Sequence, residues 1–301
     1  MFQNTVSKSF VFEGKGLHTG TKSTMTIHPA EADSGIVFRR IDLGKDALVR
    51  ACARNVTSTA RCTTLSGKDF NINTVEHIMS ALCGLGIDNA LIDIDNLEVP
   101  ILDGSARFYV EAMQGGVQPL KAEKRVITVK ETIEVKDEKS GSWVRVSPAA
   151  TPSFDITVDF GSKVLGVQTA HWDPSVDYSS QIAPCRTFVF FHEIEFLFKN
   201  NLIKGGDVDN AIVIVEHPVT EESLDQLSAL INRPKLSVTS SGYLDNLTLH
   251  FPNECGRHKL LDLIGDMSLV GGVLNASVEA FKPGHSINSL AAKAVLDSLK
   301  Q

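Results

Sequence analysis

The sequence has no long hydrophobic run. Across 301 residues, even a dense apolar stretch such as Phe188 to Phe191 falls far short of the ~20 residues needed to span a bilayer. The opening Met1-Phe2-Gln3-Asn4-Thr5-Val6-Ser7-Lys8 lacks the apolar core of a signal peptide. Positive charge is in deficit: 29 Lys and Arg face 36 Asp and Glu, a formal net charge of −7. That balance argues against a nucleic-acid surface, which needs clustered Lys and Arg. Cysteine is scarce and scattered. The five residues Cys52, Cys62, Cys83, Cys185 and Cys255 form no Cys-x-x-Cys pair. They read as free thiols, and the expected location is the reducing cytoplasm. The His-Glu-x-x-His helix of the zincins is absent as well. The rest, 43% hydrophobic and 22% charged, is the composition of a soluble globular protein, with length enough for two domains.

The first third alternates short strand-like runs with glycine turns. Ser9 to Glu13 leads into Gly16-Leu17-His18-Thr19-Gly20. Thr24 to Pro29 and Ile36 to Arg40 follow. A helix is expected over 74–83, with Thr74 as N-cap and Gly84 and Gly86 at its end. Then come a strand, Asn89 to Ile94, a turn at Pro100 to Ser105, and a helix over 107–114. Gly115 to Lys124 combines Gly, Pro and charge and reads as a linker. Strands resume at Val126 to Val129, Ile133 to Val135, Trp143 to Val146 and Phe154 to Phe160.

The second half echoes the first. A helix over 257–270 passes through Gly271-Gly272 to a strand, Val273 to Phe281. A turn, Lys282-Pro283-Gly284-His285, leads to a helix over 288–300. His77 and His258 fall in matching helices, and each has a glycine seven residues on, Gly84 and Gly265. A duplicated α+β unit follows, with a site where the halves face each other. One stretch interrupts the echo: Phe190 to Lys199 has helical period but is apolar around most of its girth, as in a core or a cavity wall.

The chemical interest centres on Arg257-His258-Lys259-Leu260-Leu261-Asp262-Leu263-Ile264-Gly265-Asp266. His258, Asp262 and Asp266 are successive i, i+4 positions on one helix face. A hydrolytic metal site needs about three protein ligands, an open position and a nearby base. His77, His258 and Asp262 would complete a ligand set, and Glu76 would stand beside His77 as a base. Each residue also has a plainer reading. His258 and Asp262 can be an intrahelical ion pair, Glu76 a helix-start carboxylate, Asp266 a solvated charge and His285 a loop residue. Five of the other histidines, His28, His171, His192, His217 and His250, suit structural or surface roles, with His171 in a loop and His250 in a strand over 247–251. His18 sits in a glycine turn that can approach a ligand.

Six motifs in order carry a resemblance. They are Gly16-Leu17-His18-Thr19-Gly20, Thr74-Val75-Glu76-His77, Asp103-Gly104-Ser105, Arg186-Thr187-Phe188, His258 to Asp266, and Gly284-His285-Ser286-Ile287-Asn288. Together they closely resemble the UDP-3-O-acyl-N-acetylglucosamine deacetylases, zinc enzymes that commit a precursor to lipid A in Gram-negative bacteria. The resemblance implies an α+β fold of two similar domains, each a two-layer helix and sheet sandwich with a small insert. Residues 1–120 and 125–301 would be the two domains, with the active site between them and an acyl-passage insert around 190–215. It implies a zinc ion held by His77, His258 and Asp262. It implies Glu76 as general base, His285 as catalytic histidine with Asp266 as its carboxylate partner, and Thr187 as oxyanion support. Lys259, Phe188 and His18 would contact substrate. Leu17, Ile194, Phe196 and Ile203 would line the acyl passage. The expected partner is a small acylated UDP-sugar, with no nucleic acid and no transmembrane segment, and a monomer is expected. Two features depart from the family pattern: a longer connection over 216–256, and no acidic run in Phe251 to Gly256. Cys62 would lie near the metal without ligating it. A related deacetylase of another acylated sugar and a non-catalytic lipid-sugar binder are the competing readings.

Overall fold

The structure, a computed structural model, describes residues 1–194, 210–230 and 235–300. Ile203 and Phe196 lie outside the described residues. In the first half, β1 (Phe10–Lys15), β2 (Lys22–His28), β3 (Ile36–Arg40) and β4 (Leu48–Arg50) precede helix α1 (Glu76–Gly84). Then come β5 (Ala90–Ile94) and α2 (Arg107–Met113). In the second half, β6 (Ile133–Asp137), β7 (Ser142–Pro148), β8 (Ser153–Asp159) and β9 (Val167–Trp172) precede α3 (Glu254–Ser268). β10 (Val273–Phe281) and α4 (His285–Ser298) follow.

The echo read in the sequence is an identity of topology. The first sheet runs β1-β2-β5-β3-β4 and the second β6-β7-β10-β8-β9. In each, the strand after the principal helix is central, antiparallel to one neighbour (β2, β7) and parallel to the other (β3, β8). Strand Val126–Thr128 also pairs with β10. The period-2 pattern sets the inward faces: Phe10 and Phe12 of β1, Met25 and Ile27 of β2, Val144 and Val146 of β7, and Phe154, Ile156 and Val158 of β8. One apolar core takes in residues of both sheets and of α1 through α4.

Each half carries extra elements just before its principal helix. In the first, Val56–Ser58, Thr64–Ser66 and Asn71–Ile72 form a small antiparallel sheet. In the second, Phe188–Phe190 pairs in parallel with Ile212–Ile214, followed by a helix, Glu221–Leu230. Phe191, Val213, Val215, Leu224, Leu227, Leu236 and Leu244 form an apolar cluster of their own here.

Several sequence expectations are corrected. Residues 117–123 are a strand, paired with Phe2–Val6, where a linker was expected. Its neighbour supplies hydrogen bonds that composition does not reveal. Phe188–Phe190 is a strand and the helical turn covers only 191–194 of the described residues, since a short aromatic run satisfies either period. His171 is in β9 and not in a loop, whereas 247–251 forms no strand. α4 starts at His285, three residues before the expected start.

α1 and α3 are the buried pair. Every residue of α1 from Glu76 to Leu82 is buried, as is α3 around most of its girth. Their approach needs Gly265. A Cβ there would fall 2.1 Å from the Glu76 carbonyl oxygen and 3.2 Å from the Ser80 nitrogen. Gly265→Ala is expected to force the helices apart and destabilise the protein by about 1–3 kcal/mol, the usual cost of overpacking. Urea denaturation measures this, and an unchanged midpoint would contradict the close approach.

Candidate metal centre

Crossing at Gly265, α1 and α3 bring the sequence motifs together. His77 comes from the first turn of α1, and His258 and Asp262 from one face of α3. His77 Nε2 lies 3.6 Å and His258 Nε2 3.5 Å from Asp262 Oδ1. One ligand atom from each of the three residues lies within 4.8 Å of the others, and all three side chains are buried. These separations exceed hydrogen bonds but match donors around one ion.

The donor chemistry fits a metal. Asp262 Oδ1, the oxygen that both His77 Nε2 and His258 Nε2 face, is buried with no hydrogen-bond partner among the described residues, a costly arrangement for a carboxylate oxygen unless a cation meets it. His258 donates its Nδ1–H to the Cys185 carbonyl, 3.0 Å away, which leaves the Nε2 lone pair facing the cluster. Burial pushes the His258 imidazolium down to about 4, against the opposing charge of Asp262, so the ring is neutral and able to ligate near pH 7. Asp262 is held well below the usual carboxylate range. Burial opposes ionisation there, but His258 and Lys259 outweigh it. Lys259 Nζ sits 2.9 Å from Asp262 Oδ2 and 5.5 Å from the Phe188 ring centroid. Phe188 also meets the His258 ring edge-on at 6.3 Å.

Around this cluster stands an acid–base pair. His285 Nε2 lies 3.7 Å from Glu76 Oε1, and its Nδ1 lies 3.0 Å from Asp266 Oδ2. Asn288 Nδ2 donates to the same Asp266 oxygen at 2.9 Å. Burial raises the proton affinity of Glu76, with His285 and His77 opposing. For His285 burial alone favours the neutral ring, yet Asp266 and Glu76 together raise it to about 9. In metal-free protein, this imidazolium is expected to persist through neutral pH. An NMR titration of the ring should give a midpoint near 9, and a midpoint at or below 6.5 would refute it. Because the folded value is raised, the stabilisation is complete below pH ~6.5 and is lost as pH rises through about 9.

His18 stands at the edge of the group. Its Nε2 is buried without a partner among the described residues. Burial lowers its proton affinity, Glu98 opposes, and Arg61, His285 and His77 add to the lowering. Leu17 beside it is half-buried. Thr187 is fixed by its main chain, donating to Gly104 O and accepting from Ile212 N, both at 2.8 Å. Ile194 packs against the separate apolar cluster of the second half. Cys62 is buried and its thiol is pushed up to about 11, by burial first and then by the charge of Glu76.

Two residues were given no role in the sequence reading, although Thr63 belongs to the Cys62-Thr63-Thr64 segment that the resemblance placed near the metal. Glu98 is fully buried. Its carboxylate accepts from His18 N at 3.0 Å, Thr19 N and Thr19 Oγ1 at 2.8 Å each, and Thr74 Oγ1 at 2.8 Å. It thereby ties the glycine turn to the start of α1. Gly16 is glycine because a Cβ would lie 2.3 Å from Glu98 Oε2. Thr74 is spent on this contact at a left-handed φ of 62°, so the expected Thr74 cap is not formed and Val75 takes the N-cap position. The other is Thr63, between the two carboxylates Glu76 and Asp266.

Comparison with known proteins agrees with this assembly. The family model described as UDP-3-O-acyl N-acetylglycosamine deacetylase matches residues 3–228 and 233–297. A bifunctional enzyme, LpxC/FabZ, of Bacteroides thetaiotaomicron is 42% identical over 99% of this chain and 65% of its own length. The chain thus spans about 65% of the length of that relative. UDP-3-O-acyl-N-acetylglucosamine deacetylases of Xanthomonas oryzae pv. oryzae and Helicobacter hepaticus are 36% and 37% identical. The matches cover 98% and 100% of this chain and 90% and 92% of theirs. A match running almost from end to end, over a fold whose two halves bring these six motifs to one place, shows that the chain belongs to the UDP-3-O-acyl N-acetylglycosamine deacetylase family.

Proposed function

We propose that this chain hydrolyses the acetamide of UDP-3-O-acyl-N-acetylglucosamine to acetate and UDP-3-O-acyl-glucosamine, the committed step of lipid A biosynthesis. The observation that carries the reading is the buried His77, His258 and Asp262 cluster with the Glu76 and His285 pair beside it. Residues 1–120 supply Glu76 and His77, and residues 125–301 supply the rest. Two imidazoles and one carboxylate suit zinc. Bound there, the ion would polarise the acetamide carbonyl and lower the pKa of a bound water to about 7.

The chain's own groups then divide the work. Glu76, whose proton affinity burial raises, takes a proton from the attacking water. The Thr187 hydroxyl donates to the oxygen on which charge develops. As the C–N bond breaks, His285 gives its Nε2 proton to the departing amine, with Asp266 holding the ring by Nδ1. Lys259, Phe188 and His18 flank the substrate. Leu17 and Ile194 would line the acyl passage; Phe196 and Ile203, expected there from the resemblance, lie outside the described residues. The enzyme works in the cytoplasm as a monomer. Among the described residues, no helix is long and apolar enough to cross a membrane.

The test is elemental analysis of purified protein together with mass-spectrometric detection of acetate release from the UDP-sugar. About one zinc per chain with turnover is expected. A folded protein unable to bind zinc would sink the hydrolase reading. Zinc binding with turnover only of other acylated sugars would move the substrate assignment to a related deacetylase.

A further inference from the structure

We infer that Thr63 is a positioning residue that holds the base and the acid of the reaction in register by hydrogen bonds to both carboxylates, closing a ring whose remaining side is the 3.7 Å approach of His285 to Glu76. Thr63 is fully buried in the loop between two strands of the small sheet, Val56–Ser58 and Thr64–Ser66. Its backbone N–H donates to Glu76 Oε2 at 3.0 Å. Its hydroxyl donates to Asp266 Oδ1 at 2.5 Å. Asp266 Oδ2 receives His285 Nδ1, and His285 Nε2 faces Glu76 Oε1. The four residues close on one another: Thr63, Glu76, His285, Asp266 and back to Thr63.

Closure has a physical consequence. Glu76 and Asp266 are both acidic, buried and on different helices. The packing of α1 against α3 at Gly265 fixes their backbones, but without a donor between the two side chains only His285 would link the carboxylates to each other. A second, neutral donor on the far side of each carboxylate leaves one oxygen of Glu76 pointing at His285. It also leaves Asp266 Oδ2 free to receive His285 and Asn288 together. The ring therefore sets the 3.7 Å gap between His285 Nε2 and Glu76 Oε1, the gap across which water and the leaving amine exchange protons. Threonine suits the position because its hydroxyl reaches Asp266 while its main chain reaches Glu76. Two residues earlier, Arg61 takes a left-handed φ of 70° in the same loop.

The inference rests on the deacetylase reading, and its test separates the two. Thr63→Val keeps the shape and removes the hydroxyl, and Thr63→Ser keeps the hydroxyl. Outer-shell partners that orient the ligands of a metal site are typically worth 10–100-fold in affinity or activity, and Thr63 orients the base and the acid beside such a site in the same way. Thr63→Val is therefore expected to lose 10–100-fold in kcat, with KM and metal content unchanged, and Thr63→Ser to stay within about threefold of the original. The low-field Nδ1–H proton resonance of His285 is read in parallel, without substrate. It should shift in Thr63→Val and return in Thr63→Ser. An unshifted resonance overturns the inference whatever the enzyme turns over, as does an unchanged kcat. Equal losses in Thr63→Val and Thr63→Ser, tracking stability alone, overturn it too. If the unsubstituted chain has no turnover, the deacetylase reading fails, and the resonance still decides the ring.

Discussion

Glu76→Ala is expected to keep one metal per chain and to lose roughly 10²–10⁴-fold in kcat, the range general-base groups contribute. The reason lies in how α1 starts. Glu76 and His77 are adjacent, so their side chains diverge by roughly 100° around the helix. His77 turns toward Asp262, while Glu76 turns toward His285 and Thr63. Removing the Glu76 carboxylate leaves the His77, His258 and Asp262 donors in place. It also leaves His285 with Asp266 as its remaining carboxylate contact, so the ring stays ordered but has lost the group across from its Nε2. The measurement is single-turnover kinetics with metal analysis on the same sample. Turnover at the original rate would refute the base assignment. Loss of metal would show that Glu76 belongs to the ligand set instead.

Asp262→Ala should do the reverse: it should release the metal and cut turnover by about 10³-fold or more. That corresponds to losing several kcal/mol of transition-state stabilisation at about 1.4 kcal/mol per decade. Asp262 is the acidic member of the cluster, placed against both imidazoles and against Lys259 Nζ at 2.9 Å. Without it, three basic groups face one another in a buried space. Burial already drives His258 neutral, and the Lys259 cation loses its closest partner. Breaking such a pair by one side costs about 3–5 kcal/mol, so the melting temperature should fall as well. Elemental analysis and thermal unfolding measure both effects. One tightly held metal in this variant would remove Asp262 from the ligand set. The two substitutions thus separate holding the ion from using it.

Much of this site was legible because helices make spacing meaningful. The i, i+4 spacing of His258, Asp262 and Asp266 put three functional groups on one face before any fold was known. The matching glycines pointed to a duplicated unit, and one of them, Gly265, is where the two principal helices touch. The roles of Glu98 and Thr63 were illegible for the opposite reason, although the resemblance placed the Cys62-Thr63-Thr64 segment near the metal. Glu98 reaches Thr19 across 79 residues, and Thr63 reaches Asp266 across 203. No local period encodes such contacts. Thr74 misled because the residue type suits a cap, whereas its left-handed backbone and its bond to Glu98 arise from tertiary packing. The strand at 117–123 was hidden likewise, its partner lying at the other end of the half.

The meeting of α1 and α3 has a thermodynamic consequence. Donors from opposite halves of the chain converge on one point, so an ion bound there is a crosslink between them. Mass action then makes occupancy a term in conformational stability: a ligand at one hundred times its Kd adds about 2.7 kcal/mol. Opening either half must surrender that contribution. Starvation for the metal would therefore loosen the junction of the two repeats as well as silence the chemistry. The cell would then clear the empty form by proteolysis more readily than the loaded one.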